Sequence, residues 1–287
     1  METKNILCCI NGFKPSEAVI DYGCWLSKTT KTTLKLFHAI DTQNYKNDAD
    51  LSGSIGFGAS EELLKEFVET EHLQNKLLQR RGGLILDGAS QRANSNGVVD
   101  VDKCLRKGKV TENILDLKDK TYIVVLGKYG ERHQHYQGNA AVGHKVESIV
   151  RSLEKPILIV TEEFKEPKSV CLAFDGSEGA KKALNFVLQD ISLKKLDIHL
   201  VYVGDESEHL RSEFKMAEDQ MTKASINFKA AFLQGEVSET LNQYVQANGI
   251  SVLAMGAFGH SWLRDMVMGS VTSKLIGSIR NPLLLVR

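Results

Sequence analysis

The sequence carries no excess of either charge. Lys plus Arg number 36 and Asp plus Glu number 36 among 287 residues, so the formal charge is zero. A chain without a global basic field has no general attraction to nucleic acid or to an anionic membrane, and neither is expected as a partner. Long hydrophobic runs are missing too, and none approaches the ~20 residues of a membrane-spanning helix. Before the short apolar run from Ile6 to Ile10 there is no basic stretch and no cleavage site of a secretory leader, so a cytoplasmic protein is expected. Cysteine is sparse. The five residues, Cys8, Cys9, Cys24, Cys104 and Cys171, are odd in number and form no C-x-x-C pair. That argues against a disulfide framework and for reduced thiols acting as small hydrophobes.

Catalytic signatures are equally scarce. There is no G-x-x-x-x-G-K-[ST] phosphate loop, no G-x-S-x-G nucleophile turn and no H-E-x-x-H metal helix. His133 and His135 have a spacing that can reach one metal ion, but no cysteine or carboxylate at ligand spacing accompanies them, and a polar loop explains them better. No catalytic residue and no metal ligand is assigned.

What the chain does contain is one unit written twice. In the second half, strand-like runs at Ser169–Phe174, Asp197–Val203, Asn227–Leu233, Ile250–Met255 and Leu283–Val286 alternate with helical patterns. The first half repeats the order. Asn5–Ile10 ends at Asn11 and Gly12 as Ser169–Phe174 ends at Asp175 and Gly176. Leu34–Ile40 matches the second strand, and Gly108 and Val110 match Gly235 and Val237. Tyr122–Gly127 matches Ser251–Gly256, and the Pro156 approach to a last strand matches Pro282. Strands alternating with helices predict an α/β fold with parallel sheets covered on both faces. Two domains are expected, 1–161 and 167–287, joined by a short charged linker. The first copy is longer, and its excess is expected mostly as a polar, glycine-rich loop over about 41–61, either a mobile loop or a substrate lid.

The densest local signal lies in the second copy. Gly256 and Gly259 follow an apolar strand, and after nine further residues Gly269 and Ser270 open a helix-like stretch. Glycine lets the backbone approach phosphate oxygens that a Cβ would block, and a helix start adds unpaired N–H groups and a positive dipole end. The same spacing also fits a plain strand-to-loop turn. In an open parallel sheet, ligands bind beyond the carboxyl ends of strands where the strand order reverses. Asp175 and Gly256 share that crevice if the first strand lies beside the fourth. There Asp175 can accept hydrogen bonds from a ribose or an adenine amino group. The alternative for Asp175 is an Asp-Gly turn that caps the following helix.

Together Asp175, Gly176 and Ser177 after the first strand, Gly235 before the third helix, the Gly-x2-Gly-x9-Gly-Ser signature and the proline before the last strand resemble the universal stress protein (UspA-like) family. The likeness spans the chain as two tandem copies, as in its bacterial tandem-domain, UspE-like members. It implies a Rossmann-like fold of the adenine nucleotide alpha-hydrolase (HUP) type: two tandem doubly wound five-stranded parallel sheets of order 3-2-1-4-5, packed as an intramolecular pseudo-dimer. It implies ATP as ligand, with or without Mg²⁺, a regulatory or interaction role in the stress response, and slow ATP hydrolysis or autophosphorylation as the most activity. Asp175 would contact adenosine, Ala173 would line the base pocket, Val203 would frame the adenine through its backbone, and Met255 would belong to the same binding set. Gly256, Gly259, Gly269, Ser270, Val271 and Thr272 would surround the phosphates.

The chain departs from that pattern in places. Phe258 stands where relatives often carry a basic residue, with Arg264 or Lys274 available to compensate. In the first copy Asn11 replaces the aspartate, Glu131 follows Gly130, twelve residues separate Gly130 from Gly143, and His144 replaces Ser or Thr. ATP is therefore expected in the C-terminal domain only, with the N-terminal domain as its structural partner. The alternative is a scaffold without nucleotide, or a binder of another small ligand such as a lipid fragment. Pairing of two chains into a homodimer is left open.

Overall fold

The central strands of each copy read as apolar runs, and burial explains why. Ile6, Leu7 and Cys8 of β1 (Asn5–Cys9) are all fully buried, which requires cover on both faces of the sheet. All five residues of β6 (Ser169–Ala173) are buried as well. The molecule is seen in a computed structural model that describes residues 4–41, 61–128, 144–161, 163–257, 275 and 278–287.

The N-terminal copy runs β1, α1 (Pro15–Thr30), β2 (Leu34–Ile40), α2 (Glu61–Ser95), β3 (Val101–Lys107), α3 (Val110–Leu117), β4 (Thr121–Gly127), α4 (His144–Ser152) and β5 (Ile157–Val160). The C-terminal copy runs β6, α5 (Glu178–Gln189), β7 (Asp197–Val203), α6 (Glu208–Lys223), β8 (Phe228–Leu233), α7 (Val237–Ala247), β9 (Val252–Gly256) and β10 (Leu283–Val286). Local chemistry sets several helix starts. Ser177 accepts from the Ala180 N–H at 3.2 Å, Ser207 from Leu210 at 3.1 Å and Glu236 from Glu239 at 2.8 Å, each satisfying a donor that a first helical turn leaves over. Along α6, Leu210, Phe214, Ala217 and Met221 recur on one face, and all four are buried.

Each copy has the strand order 3-2-1-4-5, as expected. The two sheets also meet through their last strands. They join into one ten-stranded sheet, β3-β2-β1-β4-β5-β10-β9-β6-β7-β8. The only antiparallel pair among the described strands is at the centre, where Ile157, Leu158 and Ile159 face Leu285, Leu284 and Leu283. The two proline approaches play matched parts: Val124 N–H donates to the Pro156 carbonyl and Leu253 N–H to that of Pro282, both at 2.9 Å. Side chains alternate across this seam, so Leu158 and Leu284 join one core layer while Ile157, Ile159, Leu283 and Leu285 join the other.

Polar contacts hold the copies together above the seam. The Tyr122 hydroxyl donates to Asp190 Oδ2 at 2.6 Å, and the Tyr122 ring lies 5.6 Å from that of Phe186. Oδ1 of the buried Asp190 accepts from the N–H groups of Ser192 and Leu193 and from the Ser192 hydroxyl. In the linker, Phe164 packs edge-on against Tyr22 at 4.8 Å, and the Tyr22 hydroxyl donates to the Lys165 carbonyl at 3.2 Å.

One expectation needs correction. The extra length of the first copy is not mostly loop: α2 has 35 residues against 16 in its counterpart α6, so a large share of the excess is helix. The loop expected over 41–61 falls, apart from its two end residues, outside the described residues.

The Tyr122–Asp190 bond generates a stability test. Tyr122→Phe keeps the ring contact but leaves Asp190 Oδ2 without its donor. We expect a loss of about 1–3 kcal/mol in urea unfolding.

Candidate functional site

The reversal of strand order in the C-terminal copy lies between β6 and β9, because β7 and β8 extend to one side of β6 and β9 and β10 to the other. Ala173 ends β6 between Val201 of β7 and Met255 of β9. Ala173, Val201 and Met255 share one core layer with the half-buried Val203. Asp175 follows Ala173 at the period of a strand, which carries it past the sheet edge on that layer's side. Four of the expected binding residues, Ala173, Asp175, Val203 and Met255, therefore lie at one mouth.

The turn at this mouth has a definite form. Asp175 Oδ1 accepts from the Ser177 N–H at 3.0 Å, and Gly176 adopts a left-handed φ of +76° that favours glycine. The turn and the cap are thus divided: Asp175 shapes the turn, and Ser177 caps α5. Three carboxylates act on Tyr202 of β7, whose ring packs in the opposite layer. Burial foremost, then the charges of Asp205, Asp175 and Glu206, push the Tyr202 hydroxyl above its ordinary pKa. Such an acidic rim suits donors, such as ribose hydroxyls or an amino group, and repels phosphate.

Gly256 has a packing reason to be glycine, apart from the phosphate role expected of it. A Cβ there would overlap the backbone of Gly179 and Ala180 in the first turn of α5. Its missing side chain faces the helix layer opposite to Met255, so close helix–sheet packing alone requires glycine at this position. The expected phosphate residues Gly259, Gly269, Ser270, Val271 and Thr272, with Phe258, Arg264 and Lys274, lie outside the described residues. So do His133, His135, Glu131, Gly130 and Gly143.

The N-terminal mouth has the same frame with different chemistry. Phe13 N–H donates to Asn11 Oδ1 at 3.1 Å, and Gly12 has a φ of +80°, which reproduces the Asp175 turn. Asn11 Oδ1 also accepts from the Ser16 hydroxyl at 2.8 Å. Ile85 of α2 packs so near that a Cβ on Gly12 would lie 2.8 Å from its Cδ1. Across the mouth, Lys145 at the start of α4 pairs with Asp41 after β2 at 2.9 Å.

One residue went unnoticed in sequence. Lys128 follows Gly127 where Ala257 follows Gly256, so alignment of the two copies puts a lysine against an alanine. It is 3% exposed, and its Nζ crosses the seam to donate to the Ile279 carbonyl at 2.6 Å. Burial, followed by the nearby Arg280 charge, lowers its pKa to about 8.

Elsewhere, a groove of about 310 Å³ separates α5 from α6 on the layer opposite to Asp175's, and Lys181 spans it to Glu213 at 2.9 Å. Among the described residues no group of three His, Cys, Asp or Glu could hold a metal ion, and no helix is long and apolar enough to cross a membrane.

The model of the universal stress protein family matches residues 2–161 and again 167–287. The chain belongs to the universal stress protein family. It is 33% identical to a universal stress protein of Synechocystis, over 99% of this chain and 100% of that protein. A universal stress protein from Archaeoglobus fulgidus has the same tandem fold, with a TM-score of 0.74 at 13% identity, over 100% of this chain and 99% of that one. An Arabidopsis thaliana family member solved with AMP bound covers 42% of this chain and 90% of its own, at 15% identity and a TM-score of 0.33. The family resemblance and the α/β tandem fold read from the motifs are both borne out.

Lys128 makes stability depend on pH. Its folded pKa of about 8 lies below the ordinary lysine value of 10.5, so between these values the unfolded chain binds more protons. Its contribution therefore rises with pH across that window. In urea titrations, the native chain should gain more stability from pH 8 to 10 than Lys128→Met does.

Proposed function

We propose that this universal stress protein binds an adenine nucleotide, ATP foremost, in its C-terminal copy alone. In this reading the N-terminal copy is its fixed structural partner, and the chain acts as a regulatory or interaction protein of the stress response. The observation that carries the proposal is the meeting of Asp175, Ala173, Val203 and Met255 on one side of the strand-order reversal. The acidic rim at Asp175 supports a polarity for the ligand: the nucleoside end meets Asp175 and the Val203 backbone, while the phosphates point toward the segment after Ala257. Gly259, Gly269, Ser270, Val271 and Thr272 would take the phosphates there, with Mg²⁺ if it accompanies them. Gly256 shapes the mouth by letting α5 close on the sheet.

The N-terminal mouth supports the other half of the proposal. Asn11 offers an amide in place of a carboxylate, Ser16 already uses its oxygen, and the Lys145–Asp41 pair bridges the opening. A cytoplasmic site of action belongs to the same reading. The thiols of Cys8, Cys9 and Cys171 are pushed up by burial, which suits inert, reduced cysteines.

Calorimetric titration with ATP, with and without Mg²⁺, tests the proposal. The native chain should take up about one nucleotide. Asp175→Ala should weaken binding about tenfold or more, by loss of charge-assisted hydrogen bonds, and Asn11→Ala should leave it unchanged. Loss of binding in Asn11→Ala with Asp175→Ala intact contradicts the proposal, and a native chain that binds nothing at millimolar ATP supports a scaffold without nucleotide.

A further inference from the structure

Helix α2 is the least symmetric part of the two copies. Its C-terminal part docks on the N-terminal domain. Gly82 lies under Leu105 and His38, and Arg92 forms a two-pronged ion pair with Asp21 of α1 at 2.7 and 2.8 Å. Preceding that part is an arm with no counterpart in α6. Over 65–81, apart from the undescribed side chain at 67, every residue is exposed except the half-buried Asn75 and Leu78. At 1.5 Å per residue the arm is about 25 Å long.

The arm carries an ordered stripe. Leu73 and Leu77 are 58% and 57% exposed, and Leu84, at 65%, continues the line toward the body. Exposed leucines at this spacing share one helix face. Glu66 and Glu69 fall on the same face toward the N-terminal end, and Arg80 falls on it on the other side of the leucines. None of these three charges has an ion pair with another described residue. The face therefore reads acidic, apolar, basic along the helix.

Such a face is complementary to itself when reversed. We propose that the α2 arm is a homodimerisation surface, on which a second copy of this chain lays its own arm antiparallel with the midpoint near residue 75. A two-fold axis there sets Leu73 against the partner's Leu77, and Glu69 against the partner's Arg80, twice over. A parallel partner would instead stack like charges. Leucines exclude water at the centre, and the charges fix direction and register. This contact lies far from the β5–β10 seam, so it adds a second pairing to the one already inside the chain. An interface of two helical arms is small by the standards of stable dimers, so association is expected to be weak and concentration-dependent.

Sedimentation of the full chain tests this over about 1–200 μM, the range a small interface calls for. Dimer should accumulate with concentration. Leu77→Asp should abolish it, and Arg80→Glu, which sets Glu against Glu at both ends, should weaken it at least about tenfold. Combining Glu69→Arg with Arg80→Glu should restore most of the lost affinity, a recovery that general surface stickiness would not give. All these positions are exposed, so circular dichroism and the unfolding midpoint should stay native, which keeps misfolding apart from dissociation. A monomer at every concentration, whether the stripe is bare or covered by another part of the same chain, overturns the proposal. So does a dimer indifferent to Leu77→Asp, or a double variant no better than Arg80→Glu.

Discussion

The antiparallel pair between β5 and β10 is the contact on which the molecule depends. Both are four-residue strands of branched and long aliphatic side chains, and every one of those residues is buried. Left as edges, they would present unpaired backbone donors and acceptors beside a bare apolar surface, the arrangement that invites aggregation. Pairing Ile157–Ile159 with Leu283–Leu285 removes both edges at once. It also fuses the core layers, since Val160, Leu158, Leu284 and Val286 share one layer and Ile159, Leu283 and Leu253 the other. Each copy is thus completed by the other, whatever either of them binds.

That dependence gives the N-terminal copy a physical role independent of any ligand. Its frame matches the C-terminal frame closely: the same strand order, the same turn built on residue 11 or 175, the same left-handed glycine after it. The mouths differ in what fills them. Ile85 leans on the turn in one copy, whereas Glu213 and Leu210 stand there in the other. After the fourth strand, Lys128 sends its ammonium across the seam, whereas its counterpart Ala257 is a small buried residue. One frame therefore serves two ends, adhesion between copies and a candidate ligand mouth.

Much of this was legible in the sequence because parallel strands buried on both faces leave continuous apolar runs. Ser169–Phe174 and Asn5–Ile10 each stop at a turn signal, and Pro156 and Pro282 mark the approach to the seam strands. The duplication then supplied the order. The arm of α2 stayed hidden because its exposed turns have no core-facing stripe, and Gly82 and Gly83 interrupt what pattern there is. Gly256 could be recognised as a special position, but spacing does not tell which backbone a missing Cβ faces. Lys128 was invisible for a similar reason: a charged residue after a strand reads as surface until its partner at Ile279, 151 residues on, is brought beside it. Of the candidate site, the base side rests on strand ends that the fold positions, while the phosphate side from Gly259 to Thr272 lies beyond the described residues.

Hydrogen exchange of backbone amides, resolved by residue, tests the central claim most directly. If the seam completes both cores, the amides of Ile157–Ile159 and Leu283–Leu285 that bridge the two strands should exchange only through global unfolding, as slowly as those of β1 and β6. Exchange at the seam well before β1 and β6, with the rest of the sheet still protected, would mean that the two copies separate readily and that neither needs the other to close its core.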